Sequence, residues 1–416
     1  MKAAVIGYGK SGRAAEQLLR GEGYTVIDIF DDGNAEMHPV AEFKDEYDCV
    51  VVSPGINLRK MANAPEIYTS EIELADAKRP TDTVVVAVTG TNGKSTVTTL
   101  IAQILKKCGL EAVACGNIGL PYAEAVTGGA YGAYVVELSS FQTGMLQHFS
   151  ADCVVVTNLA EDHMDRYRDM DDYADDKMNL LRFLKPEGRL IIENDEYLVQ
   201  KSSVYKGDTV RVLPEVNNGR LDFGHFYCTT DKFPLKGEHN LLNLSFALLA
   251  ADSIAGLEGD VTYLTENLIG LEHRCEFAAE INGVEYINDS KGTNIHSTLT
   301  ALKGLPEGIV IILGGKDKNG NFAALKDVIN EKCAGVITYG QAGEKIYSTL
   351  KDIISVPLYK AEGLESAVRK GAEVAEAGQK VVLSPACASF DEHRGFEHRG
   401  AHFKELVQSI RIEEDE

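Results

Sequence analysis

The chain is poor in positive charge. Its 41 lysines and arginines stand against 63 acids, a net charge of −22. That balance argues against an extended nucleic-acid surface, because phosphate backbones are held by clustered cations. Any phosphate must be gripped locally, against the field of the whole protein. Paired cysteines are also missing. The eight cysteines (Cys49, Cys108, Cys115, Cys153, Cys228, Cys275, Cys333 and Cys387) form no C-x-x-C pair, and most lie in apolar runs. Buried free thiols in a reducing cytoplasm are expected, and a disulfide framework or metal cluster is not. No apolar run approaches ~18 residues, so no membrane span is expected. The start MKAAVIGYGKSG lacks the apolar stretch of a signal peptide and runs straight into a domain. Solenoid-length repeats and low-complexity tracts are absent. What remains is 44% apolar content over 416 residues, enough for several cores and two or three domains.

The loudest positive signal is Thr89-Gly90-Thr91-Asn92-Gly93-Lys94-Ser95-Thr96. It follows the short β-branched run Thr83–Val88, which reads as a buried strand, and precedes a helix over Ser95–Lys107. A glycine turn at a helix N-terminus leaves backbone N–H groups to face phosphate oxygens. Lys94 adds a mobile charge, and the hydroxyl of Ser95 or Thr96 suits Mg²⁺. The common G-x-x-x-x-G-K-[ST] pattern would place glycine at position 88, where this chain has Val88, so the loop is a shortened variant. Strand, turn, Lys-Ser/Thr and helix in this order predict nucleoside triphosphate binding; the plain alternative is a glycine turn with a surface lysine.

An earlier segment opens with Ala3–Ile6, Gly7-Tyr8-Gly9-Lys10-Ser11-Gly12, a helix over Arg13–Gly21 and a strand over Thr25–Asp28. This is a βαβ start with G-x-G-x-x-G and the carboxylate of Asp28 about 20 residues on. It suits a nicotinamide, a flavin, another nucleotide, or only tight strand-to-helix packing. Cys49–Val52 is a second strand, ending in the turn Ser53-Pro54-Gly55, and the segment closes near Pro80.

After the phosphate loop, strands are expected at Ala133–Val136, with Glu137 at the carboxyl end, and at Cys153–Asn158. Ligands of open α/β sheets lie beyond such ends. Glu137 is therefore a candidate metal ligand or, alternatively, a helix cap. The stretch from Glu161 to Lys177 has eight acids, one histidine and three bases. Most of it reads as a solvated acidic face. His163 is either a ligand or structural, and spacing alone makes Lys177 a surface ion-pair partner. Asn240 and Asn243 lie one turn apart on a helical run to Ala255, where their amides suit an adenine edge or a helix cap.

Beyond Glu272-His273-Arg274, strands at Val284–Ile287, Ile309–Leu313, Gly335–Tyr339 and Lys380–Leu383 alternate with helices, giving another α/β unit. Three of them end in polar turns: Asn288–Asn294, Gly314–Lys318 and Ser384–Phe390. His398 and His402, four apart, could face a metal, but no third ligand type is evident nearby.

Taken in order, VIGYGKSG, SPGI, TGTNGKST, GNIGLP, ELSSFQ, TNLAEDHMDRY, Lys177, HNLLN, EHRCE, INDSKGTN, LGGKDK and SPACASFDEHRGFEHRG resemble the Mur ligases of peptidoglycan synthesis over nearly the whole chain. Within them they are most similar to the branch that adds D-glutamate. The L-alanine-adding branch typically has His and Thr in its phosphate loop, and the Asp-Asn-Pro-Arg motif of the diaminopimelate-adding branch is not found.

The resemblance implies an α/β chain of three domains. A Rossmann-like N-terminal domain (1–80) would bind the UDP substrate, a central P-loop-type, mostly parallel sheet (81–272) would bind ATP, and a Rossmann-like C-terminal domain (273–416) would bind the amino acid. It implies a cytoplasmic, monomeric enzyme with two Mg²⁺ and no nucleic-acid or membrane partner. ATP would activate the carboxylate of UDP-N-acetylmuramoyl-L-alanine as an acyl phosphate, which D-glutamate then attacks. The alternatives are a Mur-type ligase for a different amino acid and a nicotinamide-dependent oxidoreductase. By resemblance, Gly90 to Thr96 cradle phosphate, Ser95 and Glu137 hold one Mg²⁺, and His163 with a carbamylated Lys177 holds the other. Asn240 and Asn243 go to adenine, Arg274 and Asp289 to the far side of the nucleotide, and Lys291 to phosphate or the reacting carboxylate. Thr293, Lys318, Ser389 and Phe396 hold D-glutamate. Lys10, Ser11, Ser53, Gly55 and Asn117 contact the UDP substrate together with Asp28, for whose role Asp31 competes. Gly292 stands where the family motif commonly has alanine, a change expected to matter little.

Overall fold

The computed structural model describes residues 1–416 except 35, 165, 214, 215, 218, 236, 319 and 416, with backbone alone for 411–415. Two compact units are present. Unit 1 is Met1–Phe233 with Leu242–Leu268, and unit 2 is Pro234–Leu241 with Ile269–Glu416.

Unit 1 opens with β1 (Lys2–Ile6), β2 (Val26–Phe30) and β3 (Cys49–Val52), a parallel sheet in the order β2-β1-β3. The helix after β1 starts at Lys10, three residues earlier than expected, and runs to Gly21. A six-stranded parallel sheet follows: β4 (Val84–Thr89), β5 (Ala112–Gly116), β6 (Ala133–Glu137), β7 (Ala151–Val156), β8 (Leu184–Glu193) and β9 (Thr209–Val212), in the order β5-β6-β4-β7-β8-β9. β4, β6 and β7 are central, and their near-continuous Val and Ala runs are what burial on both faces demands. A small sheet of β10 (Val216–Asn217), β11 (Arg220–Asp222), β12 (Phe226–Thr229) and β13 (Gly259–Asp260) completes the unit.

The short helix Glu71–Asp76 fastens the first sheet to the second. Glu71 accepts from the Ala123 amide (2.6 Å), Glu73 from the amides of Gln147, His148 and Phe149 (2.9–3.0 Å), and Asp76 from the Ser150 amide and the Tyr122 hydroxyl (3.1 Å each). Glu71 is buried, and burial pushes its carboxyl up to about 7.

Among its described residues unit 2 has one sheet, of β14 (Glu276–Ile281), β15 (Val284–Asn288), β16 (Ile309–Gly314), β17 (Cys333–Tyr339), β18 (Leu358–Lys360) and β19 (Lys380–Ala386), in the order β14-β15-β19-β16-β17-β18. Only β14 is antiparallel. The strands expected from sequence are β15, β16, β17 and β19; β14 and β18 are additions at the two edges. Separate apolar cores pack on the two sheet faces, one built on Ile309, Ile311 and Leu313, the other on Val310 and Ile312. Among the described residues no helix is long and apolar enough to cross a membrane.

Candidate active site

β4 delivers the chain into Gly90–Gly93, and the helix Lys94–Lys107 leaves it. Gly90 (φ +133°) lies so close to the next strand that a Cβ would stand 2.1 Å from Thr157 Oγ1. Gly93 (φ +85°) caps the helix in the left-handed region that favours glycine. The turn is bolted to the end of β7. The Thr91 amide donates to the Asn158 carbonyl (2.9 Å), the Asn92 amide to Asn158 Oδ1 (2.8 Å), and Thr157 Oγ1 to the Asn92 carbonyl (2.6 Å). Lys94 Nζ donates to the Thr91 carbonyl (2.7 Å). Ser95 and Thr96 are buried, and Thr96 Oγ1 has no hydrogen-bond partner.

Glu137 ends β6, next to β4, and is 2% exposed. Its Oε1 accepts from Asn117 Nδ2 (2.8 Å), and its backbone carbonyl accepts from the Asn117 amide (2.8 Å). The GNIG turn is thus held against this carboxylate. His163 sits in the left-handed region (φ +57°) with its ring edge-on to Phe141 at 4.9 Å. Arg166 stacks on the same Phe141 (3.9 Å) and donates to the carbonyls of Gly55 (3.2 Å) and Ile56 (2.7 Å), joining the His163 loop to the SPGI turn.

Lys177 overturns the surface reading that spacing alone suggested. It lies on the helix Met170–Met178 and is 2% exposed. Its Nζ donates to the Gly90 carbonyl (2.7 Å) and stands 4.6 Å from the Tyr173 ring centre. Burial, then the charge of Lys94, drives its ammonium well below the ordinary lysine range, against the pull of Asp162, Glu137 and Asp176. Lys94, Glu137, Asp162 and Lys177 therefore share one electrostatic neighbourhood around the loop. The oxygen donors here, the Ser95 hydroxyl and the buried Glu137 carboxylate, fit Mg²⁺. An amine at Lys177 does not fit, and would do so only as a carbamate.

In the first sheet Gly7 and Gly12 pack against Ser53, whose Oγ donates to the Gly7 carbonyl (2.6 Å). Lys10 is exposed and Ser11 half-buried at the start of the helix. Asp28 and Asp31, the two acids expected to compete at the UDP end, differ in their surroundings. Asp28 is mid-strand, and its carboxylate is occupied by the Tyr47 hydroxyl (2.8 Å) and Lys2 (3.3 Å). Asp31 follows the strand's carboxyl end and accepts from the Tyr8 amide (2.5 Å) in the glycine turn. β2 ends at Phe30, two residues beyond the end expected at Asp28.

In unit 2 the buried Asp289 accepts from Ser384 Oγ (2.7 Å) and the Cys275 amide (3.2 Å). Burial pushes its carboxyl up to about 6, with Arg274 opposing. Arg274 is flanked by two left-handed residues, His273 (φ +65°) and Cys275 (φ +44°), and its Nε is buried with no hydrogen-bond partner. Non-glycine residues in that region cost energy and cluster at functional sites. Gly292 also needs correction. A Cβ there would meet Asp289 Oδ2 at 2.6 Å and Ser384 Oγ at 2.7 Å, so in this chain the missing methyl makes room for the Asp289–Ser384 bond. Lys291 Nζ lies 5.2 Å from the Phe396 ring centre. Thr293 is half-buried, Lys318 exposed and Ser389 buried. Lys316 and Ala388 exchange backbone hydrogen bonds (2.8 and 3.0 Å), closing the LGGKDK turn onto the SPACAS turn. Asn240 and Asn243 are buried in the helix Glu238–Ala255.

Sequence reasoning missed Arg399. It is fully buried and donates Nε to Ser290 Oγ (2.9 Å), Nη2 to the Ser290 carbonyl (2.8 Å), and both Nη groups to the Cys387 carbonyl (3.1 Å each). Ser290 Oγ donates in turn to the Phe396 carbonyl (2.9 Å). One guanidinium thus ties together the turns that carry Lys291, Ser389 and Phe396. Its only signal was an arginine in FEHRG with no acid at helical spacing before it.

Two family models match the chain: the Mur ligase middle domain over residues 88–251 and the Mur ligase glutamate ligase domain over 273–387. The UDP-N-acetylmuramoylalanine–D-glutamate ligase of Geotalea daltonii is 36% identical over 449 residues, covering 98% of this chain and 97% of its own. That of Aquifex aeolicus is 35% identical over 415 residues, covering 98% and 99%. Among solved structures, the fold is shared with a pseudomurein peptide ligase type C from Methanothermus fervidus (TM-score 0.63, 16% identity, 99% of this chain and 100% of that one). It is also shared with MurF ligase from Thermotoga maritima in complex with ADP (TM-score 0.63, 15% identity, 98% and 95%). Near-full-length identity above 30%, on a chain whose phosphate loop sits at the end of a central parallel strand, makes this protein a member of the Mur ligase family.

Proposed function

We propose that this chain is an ADP-forming ligase that joins D-glutamate to UDP-N-acetylmuramoyl-L-alanine in peptidoglycan synthesis. The observation that carries the reading is the match, from end to end, to D-glutamate ligases. Residues 1–80 take the UDP end, through Lys10, Ser11, Ser53 and Gly55, with Asp31 rather than Asp28 as the acid. Asn117 takes the muramoyl portion. Residues 81–272 take ATP, and residues 273–416 take D-glutamate through Thr293, Lys318, Ser389 and Phe396. Asn240 and Asn243 read the adenine edge, with Arg274 and Asp289 on the far side of the nucleotide. The enzyme works in the cytoplasm as a monomer.

The substrate carboxylate attacks the γ-phosphorus, the bond to the β-phosphate oxygen breaks, and an acyl phosphate and ADP result. The neutral amine of D-glutamate then attacks the acyl carbon, the nitrogen gives up a proton, and phosphate leaves from the tetrahedral intermediate with formation of the amide. The first step brings two anions together, so neutralising charge dominates its barrier. Lys94 and the loop amides other than those of Thr91 and Asn92, which Asn158 takes, hold the phosphates, and Lys291 meets the transferring phosphate or the carboxylate. Ser95 and Glu137 would hold one Mg²⁺, and His163 with a carbamylated Lys177 a second. Bound there, Mg²⁺ would supply positive charge to the phosphate oxygens. The unprotonated amine of Lys177, which burial favours, is the form that adds to CO₂, losing a proton and leaving a carbamate with two oxygens. Since Lys177 donates to the Gly90 carbonyl, its chemistry is coupled to the shape of the loop.

The test is ADP release with ATP, Mg²⁺ and UDP-N-acetylmuramoyl-L-alanine, offered D-glutamate, L-alanine, L-lysine or diaminopimelate in turn. Turnover with D-glutamate alone is expected. Faster turnover with any of the other three would replace the specificity.

A further inference from the structure

Two cavities within unit 1 hold groups that the phosphate loop does not use. The first, of about 140 Å³, is walled mainly by Leu58, Tyr68, Phe141, Met145 and Tyr167. The second, of about 460 Å³, is lined by Arg59, Lys60, Arg166, Arg168 and Asp172. Asn57, Arg59 and Arg166 line both, so an apolar end meets a basic one.

At the apolar end Tyr167 is 6% exposed, and its hydroxyl makes no hydrogen bond of ordinary geometry. Ser140 and Asp176 bear on it without closing such a bond. Buried phenols ordinarily find a partner. Gly144 forms part of the same wall, and a Cβ there would stand 2.9 Å from Asp176 Cγ, so the missing side chain keeps that corner open. At the basic end the cations already stand in place. Arg166 is pinned by the Phe141 face and the Gly55 and Ile56 carbonyls. Arg59 donates to Asp172 (2.6 Å) and lies 3.7 Å from Asp176, and Arg168 reaches Asp172 at 3.3 Å. Among the described lining residues four cations meet two acids, Asp172 and Asp176, which leaves a surplus of two positive charges in a chain of net −22. A local excess that opposes the field of the whole chain suits an anion.

A phosphate monoester carries about −2 at neutral pH. Its oxygens match the fork of a guanidinium. A flat ring attached to it would bury its faces against aromatic and thioether walls. We propose that the two cavities form one site for an aryl phosphate, with its ring among Tyr68, Phe141 and Tyr167 and its phosphate among Arg59, Lys60, Arg166 and Arg168. Every one of these side chains lines the space as it stands. Arg59 belongs to the turn Leu58–Lys60, and Asp172 and Asp176 to the helix Met170–Met178, on which Lys177 turns instead to the Gly90 carbonyl. An occupied site therefore fastens the turn after Gly55 to the helix that carries Lys177.

The test titrates the full-length protein, free of Mg²⁺, with phenyl phosphate by calorimetry. One equivalent should bind, more weakly as salt is raised. Inorganic phosphate, which lacks the ring, and phenol, which lacks the charge, should each bind at least about tenfold more weakly. Lys60→Glu, at an exposed position, should weaken phenyl phosphate about threefold, and Lys60→Glu/Arg168→Glu at least about tenfold. Lys94→Ala and saturating UDP should leave its affinity unchanged, because neither the phosphate loop nor the UDP end is the site. Absence of a stoichiometric equivalent, equal binding of inorganic phosphate or phenol, full affinity in the double variant, loss of binding in Lys94→Ala, or displacement by UDP would each overturn the proposal.

Discussion

Lys177 in unit 1 and Arg399 in unit 2 are both sealed from solvent, at 2% and 0% exposure, and their surroundings differ in kind. Arg399 spends its guanidinium on two carbonyls and a hydroxyl. A planar fork of fixed donors loses little freedom on binding such acceptors, so the charge is retained and works as a fastener. Lys177 meets the Gly90 carbonyl and the face of Tyr173, with Lys94 close enough to repel it. There burial and the neighbouring charge lower the cost of losing the proton. Burial alone does not separate a structural cation from a reactive one. What separates them is whether the surrounding acceptors support the charge.

The largest effect that would break this comparison is on turnover. Lys177→Ala should reduce ADP release at least about 100-fold, and acetate or propionate should restore part of it by supplying the missing carboxylate oxygens. Full activity in the variant would remove Lys177 from the chemistry. Arg399→Lys asks the opposite question. A lysine cannot serve three acceptors in one plane, and the variant should lose about 3 kcal/mol by urea denaturation. A loss near zero would mean that the turns hold themselves.

Asp289 sharpens the contrast from the acidic side. Its carboxyl, raised to about 6 by burial, is more easily protonated in the folded chain than in the unfolded one. The cost of keeping it charged is absent below its unfolded pKa, grows as pH rises and is complete above about 6. Asp289→Asn should therefore come close to the parent near pH 4 and exceed it by about 3 kcal/mol at pH 8. Equal stability at both values would contradict the burial argument. The smallest effect belongs to Gly292→Ala, which should cost about 1 kcal/mol by crowding Asp289 and Ser384. An unchanged thermal midpoint would show that the carboxylate has room to move aside.

Those cases also mark how far the sequence could be read. β4, the phosphate loop and its helix were legible because each is set by local pattern: an apolar β-branched run, two glycines, then helical spacing. The principal strands of unit 2 were legible for the same reason. The depth of Lys177 was not, because its helix reads Met-Asp-Asp-Tyr-Ala-Asp-Asp-Lys-Met, a polar surface pattern, and only the packing of that helix turns the lysine toward Gly90. Arg399 needed two distant turns to be seen together. The choice between Asp28 and Asp31 rested on where a strand stops, which apolar pattern fixes poorly. The small sheet from β10 to β13 has strands of two to four residues, too short to establish a period.

The acids of the helix Glu71–Asp76 have a consequence for measurement of length. Six bonds to backbone amides and a tyrosine hydroxyl pin the first sheet to the body that carries the phosphate loop. A molecule gripped at the tip of that sheet would present its far end at a constant reach, as a caliper with a locked jaw does. Substrates shorter or longer by one sugar or one residue would be rejected by span, before any chemistry is attempted.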